Sequence, residues 1–151
     1  MKKLVMCAAM TVLAVAAAGC GGGGGGSALS KDEYSARLNH ICQELNAKNK
    51  EIGEPNSVED VVQKGPKLND AFQGAIDEVE DLKPPDELKD AHERFLTLGK
   101  QIHSKIDDLI DAAKKNDQAA AQQISNSLDR LDRESNEIAT NQLGAPACAE
   151  G

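Results

Sequence analysis

The chain has 151 residues, 25 acidic against 17 basic, a formal net charge of −8, and only three aromatic side chains, Tyr34, Phe72 and Phe95. So acidic a surface repels phosphate backbones and anionic headgroups, which sets nucleic acid aside as a partner and leaves membrane attachment to something covalent or inserted. The length suits one domain, and a composition rich in alanine and charge but poor in aromatics favours helix over sheet.

Residues 1–19 read as a signal peptide. Met1-Lys2-Lys3 is a basic start, and Leu4 to Ala18 is apolar apart from Thr11. Those 15 residues span about 22 Å as a helix, short of the roughly 20 residues that a bilayer core needs and right for a signal-peptide core. Small residues close the run, and Cys20 follows. Ala17-Ala18-Gly19-Cys20 resembles the lipobox of bacterial lipoproteins, with alanine in place of the usual leucine at its first position. The resemblance implies cleavage before Cys20, lipidation of that cysteine with palmitate-type acyl chains, and residence on the extracytoplasmic face of the cell membrane. Two plainer readings stand beside it: an ordinary secretory signal cut near Ala18, or an uncleaved anchor.

Residues 20–29 read as the lipidated cysteine and a flexible linker. Gly21 to Gly26 is a run of six glycines, which lose too much backbone entropy to form helix or strand. About ten such residues reach roughly 17 Å, enough to hold a domain close to its membrane. Cleavage removes Lys2 and Lys3 and leaves 15 basic residues against 25 acidic, a net charge of −10.

Residues 30–151 read as a helical domain. Ser30 to Glu33 has the form of a capping box, and Tyr34, Leu38, Ile41, Leu45 and Ile52 follow on one helical stripe. Gly53 and Pro55 end that helix. A second stripe runs from Val58 to Leu82; Gly65-Pro66 interrupts it, and a kink or short break is expected there. Pro84-Pro85 forces a turn, and Pro85 suits the first turn of a third helix carrying Leu88, Ala91, Phe95, Leu98, Ile102, Ile106, Leu109 and Ala113. A fourth carries Ile124, Leu128, Leu131, Ile138 and Leu143 and stops at Gly144 and Pro146. Four amphipathic helices on short connections predict an all-α, up-and-down antiparallel four-helix bundle.

Of the four cysteines, Cys7 leaves with the signal peptide and Cys20 takes lipid, so Cys42 and Cys148 remain, 106 positions apart. Their spacing fits no local zinc or redox motif, and a compartment outside the plasma membrane permits disulfides. The expected disulfide ties the carboxyl end to the first helix; the alternative is a reactive thiol. In an up-and-down bundle the fourth helix ends beside the start of the first, and a five-residue tail spanning roughly 17 Å reaches back to Cys42. The stretch Asn39-His40-Ile41-Cys42-Gln43-Glu44-Leu45-Asn46, with the late Ala147-Cys148-Ala149, is similar to small uncharacterised two-cysteine helical lipoproteins of high-GC Gram-positive bacteria. That resemblance implies a two-cysteine bundle and no activity.

Candidate chemistry is sparse. His92 and His103 are 11 positions apart on the third helix, about 16 Å, too far to share a metal ion. With His40 they read as solvated helix histidines. All three methionines lie in the signal peptide, which removes a Met/His haem site from the mature chain. Asp77-Glu78, Glu80-Asp81 and Asp107-Asp108 read as solvated faces, and no Glu-x-x-His di-iron pattern, nucleophile elbow or phosphate loop occurs. No cofactor, metal site or catalysis is expected. Polar amides are the one oddity: Asn39, Asn46, Asn49, Asn136 and Asn141 sit on the first and fourth helices. They read either as surface groups or a small network fixing helix pairing, or, with Asn39, Asn46 and Asn136 foremost, as a polar pocket. The expected function is a non-catalytic, lipid-anchored envelope protein that binds or scaffolds an unknown protein or small molecule. The alternative is a ligand-binding or sensory module, which needs a cavity between helices lined by some of those amides.

Overall fold

The computed structural model describes residues 27–150. The expected signal peptide, Cys20 and Gly21 to Gly26 lie outside the described residues, as does Gly151. Four helices account for most of what is described: α1 (Lys31–Ile52), α2 (Val58–Glu80), α3 (Lys89–Lys114) and α4 (Gln118–Asn141). Short 3-10 turns at Asp86–Leu88 and Pro146–Ala149 precede α3 and follow α4. The bundle is all-helical and matches the architecture that the stripes predict.

Local chemistry sets the ends. Ser30 Oγ accepts from the Glu33 backbone N–H at 3.3 Å, and the Glu33 carboxylate accepts from the Ser30 N–H at 3.0 Å, completing the capping box. Ser57 caps α2 and Asp117 caps α4 in the same way, each accepting from the N–H three residues on. Leu29 is already half-buried against the core, its N–H donating to Lys83 O at 2.9 Å, so the folded part takes up the chain there.

Of the kink or short break expected at Gly65-Pro66, the break does not occur: α2 runs through both residues as one helix. A reason lies in packing. Gly65 is buried, and a Cβ on it would come within 2.8 Å of Ile110 Cγ1, so the missing side chain lets α2 lie close against α3. Proline does forfeit one helical hydrogen bond, but burial of the stripe on both sides of it holds the helix in phase.

Packing follows chain order. α1 lies on α2, α2 on α3 and α3 on α4. The fourth seam is built differently. α1 and α4 make little direct backbone approach, and the chain after α4 packs against both. Gly144, at φ +67°, turns the chain back; a Cβ there would also meet Ser35 Oγ at 2.9 Å. The returning segment is core material, with Leu143 and Ala145 fully buried and Ala147 nearly so. Tyr34, Leu38 and Ile138 complete the fully buried centre.

Candidate functional site

One stripe of α1 reads the returning tail. Ser35 Oγ donates to Leu143 O at 2.7 Å, and Asn39 Nδ2 donates to Gly144 O at 3.0 Å. Asn39 Oδ1 accepts from the Ala147 N–H at 3.0 Å, and Asn46 Nδ2 donates to Ala147 O at 3.0 Å. Between them Cys42 is joined to Cys148, with their Cα atoms 4.9 Å apart. Residues 35, 39, 42 and 46 recur at steps of four, three and four, so they share a face. Backbone groups of the returning segment, which burial would otherwise leave unpaired, are satisfied by side chains from that face.

Beside this clamp lies a cavity of about 100 Å³, partly open to solvent. All four helices wall it. Its apolar part comes chiefly from α1, α2 and α3, with Ile41, Phe72, Ile76, Val79, Phe95 and Ile102 prominent. Its polar groups come from the weak seam: Asn46 on α1, and Asp132, Ser135 and Asn136 on α4. The Cys42–Cys148 disulfide forms part of the wall. Of the amides singled out in the sequence, Asn46 and Asn136 meet here, whereas Asn39 is spent on the tail and Asn141 is exposed. Asn49 sits further along α1 with a buried Oδ1 that has no partner.

Asp132 is the one ionisable group in the lining. Asn136 Nδ2 donates to its Oδ2 at 3.1 Å, while Oδ1 accepts no bond among the described residues. Removal from water pushes its pKa above the usual carboxylate range; the Asn136 bond pulls it down, Asp129 pushes it up, and Arg133 pulls it down. A periodic reading of α4 passes over Asp132 because it follows Leu131 on the edge of the stripe, where acids are ordinarily solvated.

The histidines divide. His40 is exposed and His103 half-buried, but His92 is buried, against expectation. Its Nδ1 lies 2.8 Å from the hydroxyl of Tyr34, and the rings meet edge to face at 76° with centroids 5.7 Å apart. Burial lowers the His92 pKa, outweighing the carboxylates of Glu93 and Glu80, and burial raises that of Tyr34. Two neutral rings therefore share one hydrogen bond, a packing element with no neighbouring nucleophile.

Fold and site together define a disulfide-closed helical bundle with a small, apolar, one-sidedly polar cavity. No family model matches the chain, and neither the curated proteins nor the solved structures contain a match.

Proposed function

We propose that the protein is a lipid-anchored, non-catalytic binding module of the extracytoplasmic face, and that it takes a small molecule between its helices. The observation that carries this reading is the cavity: four helices enclose apolar walls, and the weakest seam supplies every polar group. The large apolar side chains a ligand can grip are gathered around it, while on the outside, among the described residues, only Val58 is exposed, at 48 %. That distribution favours an internal ligand over an outer scaffold surface. Among the described residues the lining's Ser135 hydroxyl makes no hydrogen bond to Asp132, so no nucleophile is held against a base there, in keeping with binding without catalysis. The anchor rests on the lipobox-like Ala17-Ala18-Gly19-Cys20, and the Cys42–Cys148 disulfide supports an oxidising compartment.

Intact mass spectrometry of protein extracted from membranes of its own host tests both parts. The expected spectrum under native conditions is a chain beginning at Cys20 with acyl mass, carrying a non-covalent companion that is lost on denaturation. An Ala75→Leu variant, which places three more carbons in the cavity wall, should lose the companion. A chain without acyl mass overturns the anchor, and a companion retained unchanged by Ala75→Leu overturns the cavity as its seat.

A further inference from the structure

We infer that the cavity selects a small organic cation: an amine whose short apolar body fills the space between the helices and whose charged head pairs with Asp132. This rests on the cavity being the binding site and adds the chemical class of its occupant.

Size limits the apolar body. An apolar cavity of about 150 Å³ holds benzene, so one of about 100 Å³ accommodates roughly four or five heavy atoms. The walls that meet such a body are Ile41, Ile76, Val79 and the two phenylalanines, all without hydrogen-bonding groups in their side chains. A fully polar molecule would leave its own groups unpaired there.

Charge and geometry select the head. Asp132 carries the only formal charge in the lining, and Asn136 fixes one of its oxygens while the other accepts no bond from the described residues. Asp132 is exposed beside the partly open cavity, so a cation whose apolar body fills that cavity brings its charged head to the carboxylate's open oxygen. An anion would face the Asp132 charge directly, with Asp129 close by on the same helix. Arg133 also neighbours Asp132 but is outside the lining, so it tempers the negative potential without filling the cavity. The domain's overall acidity draws cations toward the mouth. Asn46 and Ser135 supply further hydrogen-bonding groups around the head.

Three probes with one chain and different heads separate the ideas: n-butylamine, n-butanol and butyrate. Each is titrated into the detergent-solubilised full-length protein, labelled at isoleucine, leucine and valine methyls, and followed by two-dimensional NMR. The expected result is that butylamine shifts the methyls of Ile41, Ile76, Val79 and Ile102 with at least about tenfold higher affinity than butanol, a difference of one power of ten in the dissociation constant. Butyrate binds weakest. Asp132→Asn, at an exposed position, should abolish the amine preference, leaving butylamine no tighter than butanol on the same variant. Equal affinity for amine and alcohol, or an amine preference untouched by Asp132→Asn, overturns the cation inference and leaves the cavity as a neutral site. No shift of these methyls by any probe overturns the cavity reading itself.

Discussion

Tyr34 and His92 are 58 positions apart in the chain and 2.8 Å apart in space, and their contact shows what a single residue's surroundings do to its chemistry. His92 lies four residues after Leu88 and three before Phe95, so it falls on the apolar stripe of α3; its type, more than its position, suggests solvent. The partner that satisfies it sits on another helix and is invisible to periodicity. Because burial holds the folded imidazole below its ordinary pKa, the unfolded chain binds more protons as the solution turns acidic. The contribution to stability is therefore complete above the ordinary histidine value of about 6.5 and is lost as pH falls through that value toward the folded one. His92→Gln keeps a group able to bond the Tyr34 hydroxyl and removes the titration. The variant should be less stable than wild type at neutral pH by about 1 kcal/mol, from poorer packing and geometry, yet show a flatter decline in stability below pH of about 6.5. Urea unfolding across that range checks it. An acid-side decline as steep as wild type's would place the titrating group elsewhere.

At the scale of elements, the stripes of all four helices are legible in the sequence because each depends on neighbours within a turn or two, but the start of α3 is not: Pro85 precedes a 3-10 turn at Asp86–Leu88, and α3 begins only at Lys89 without a side-chain cap. Ser30, Ser57 and Asp117 cap through the N–H three residues on, a distance that sequence spacing conveys. The continuity of α2 is not legible, because what carries the helix past Pro66 is the fit of Gly65 against Ile110 of another helix. The tail is an intermediate case. The cysteine count and the return of the fourth helix toward the first predict the Cys42–Cys148 closure, but the polar clamp from Ser35, Asn39 and Asn46 appears only once the tail is in place. The amides read as surface groups, a helix-pairing network or a pocket, and the structure puts Asn39 on the tail, Asn46 on tail and cavity, Asn136 in the cavity wall and Asn141 at the surface. A disulfide that closes a loop of about 100 residues removes much of the unfolded chain's freedom, worth up to roughly 4.7 kcal/mol by chain entropy. The double variant Cys42→Ser, Cys148→Ser should therefore unfold with about 2–4 kcal/mol less stability, read from urea unfolding whose midpoint falls and whose slope steepens as the unfolded chain opens. A midpoint matching wild type would mean that the hydrogen-bonded clamp and the buried Leu143, Ala145 and Ala147 hold the tail without the bond.

For the molecule as a whole, charge and length decide how it meets a membrane. Without residues 1–19 the chain counts 25 acidic residues against 15 basic, so a surface of that charge is repelled by anionic headgroups at distances within a Debye length. No described helix is long and apolar enough to cross a bilayer. On the reading proposed above, acyl chains on Cys20 provide the attachment, and more than one chain is required to make it stable. On the same reading, the ten-residue linker expected over residues 20–29 keeps the cavity within a few tens of ångströms of the bilayer at most. Replacing the lipid-bearing residue separates this from every electrostatic or inserted alternative. Cys20→Ser expressed in the native host should move the protein from the membrane pellet to the soluble extracytoplasmic fraction or the medium, with the Cys42–Cys148 bond intact. Because the variant leaves all described residues untouched, its fold and cavity should be unchanged, and the n-butylamine titration reads that directly. If Cys20→Ser stays in the pellet and resists a high-salt wash, the apolar stretch from Leu4 to Ala18 is retained as an inserted anchor. If it is released by salt alone, charge holds it despite the net acidity, and a basic patch must outweigh the −10 of the mature chain.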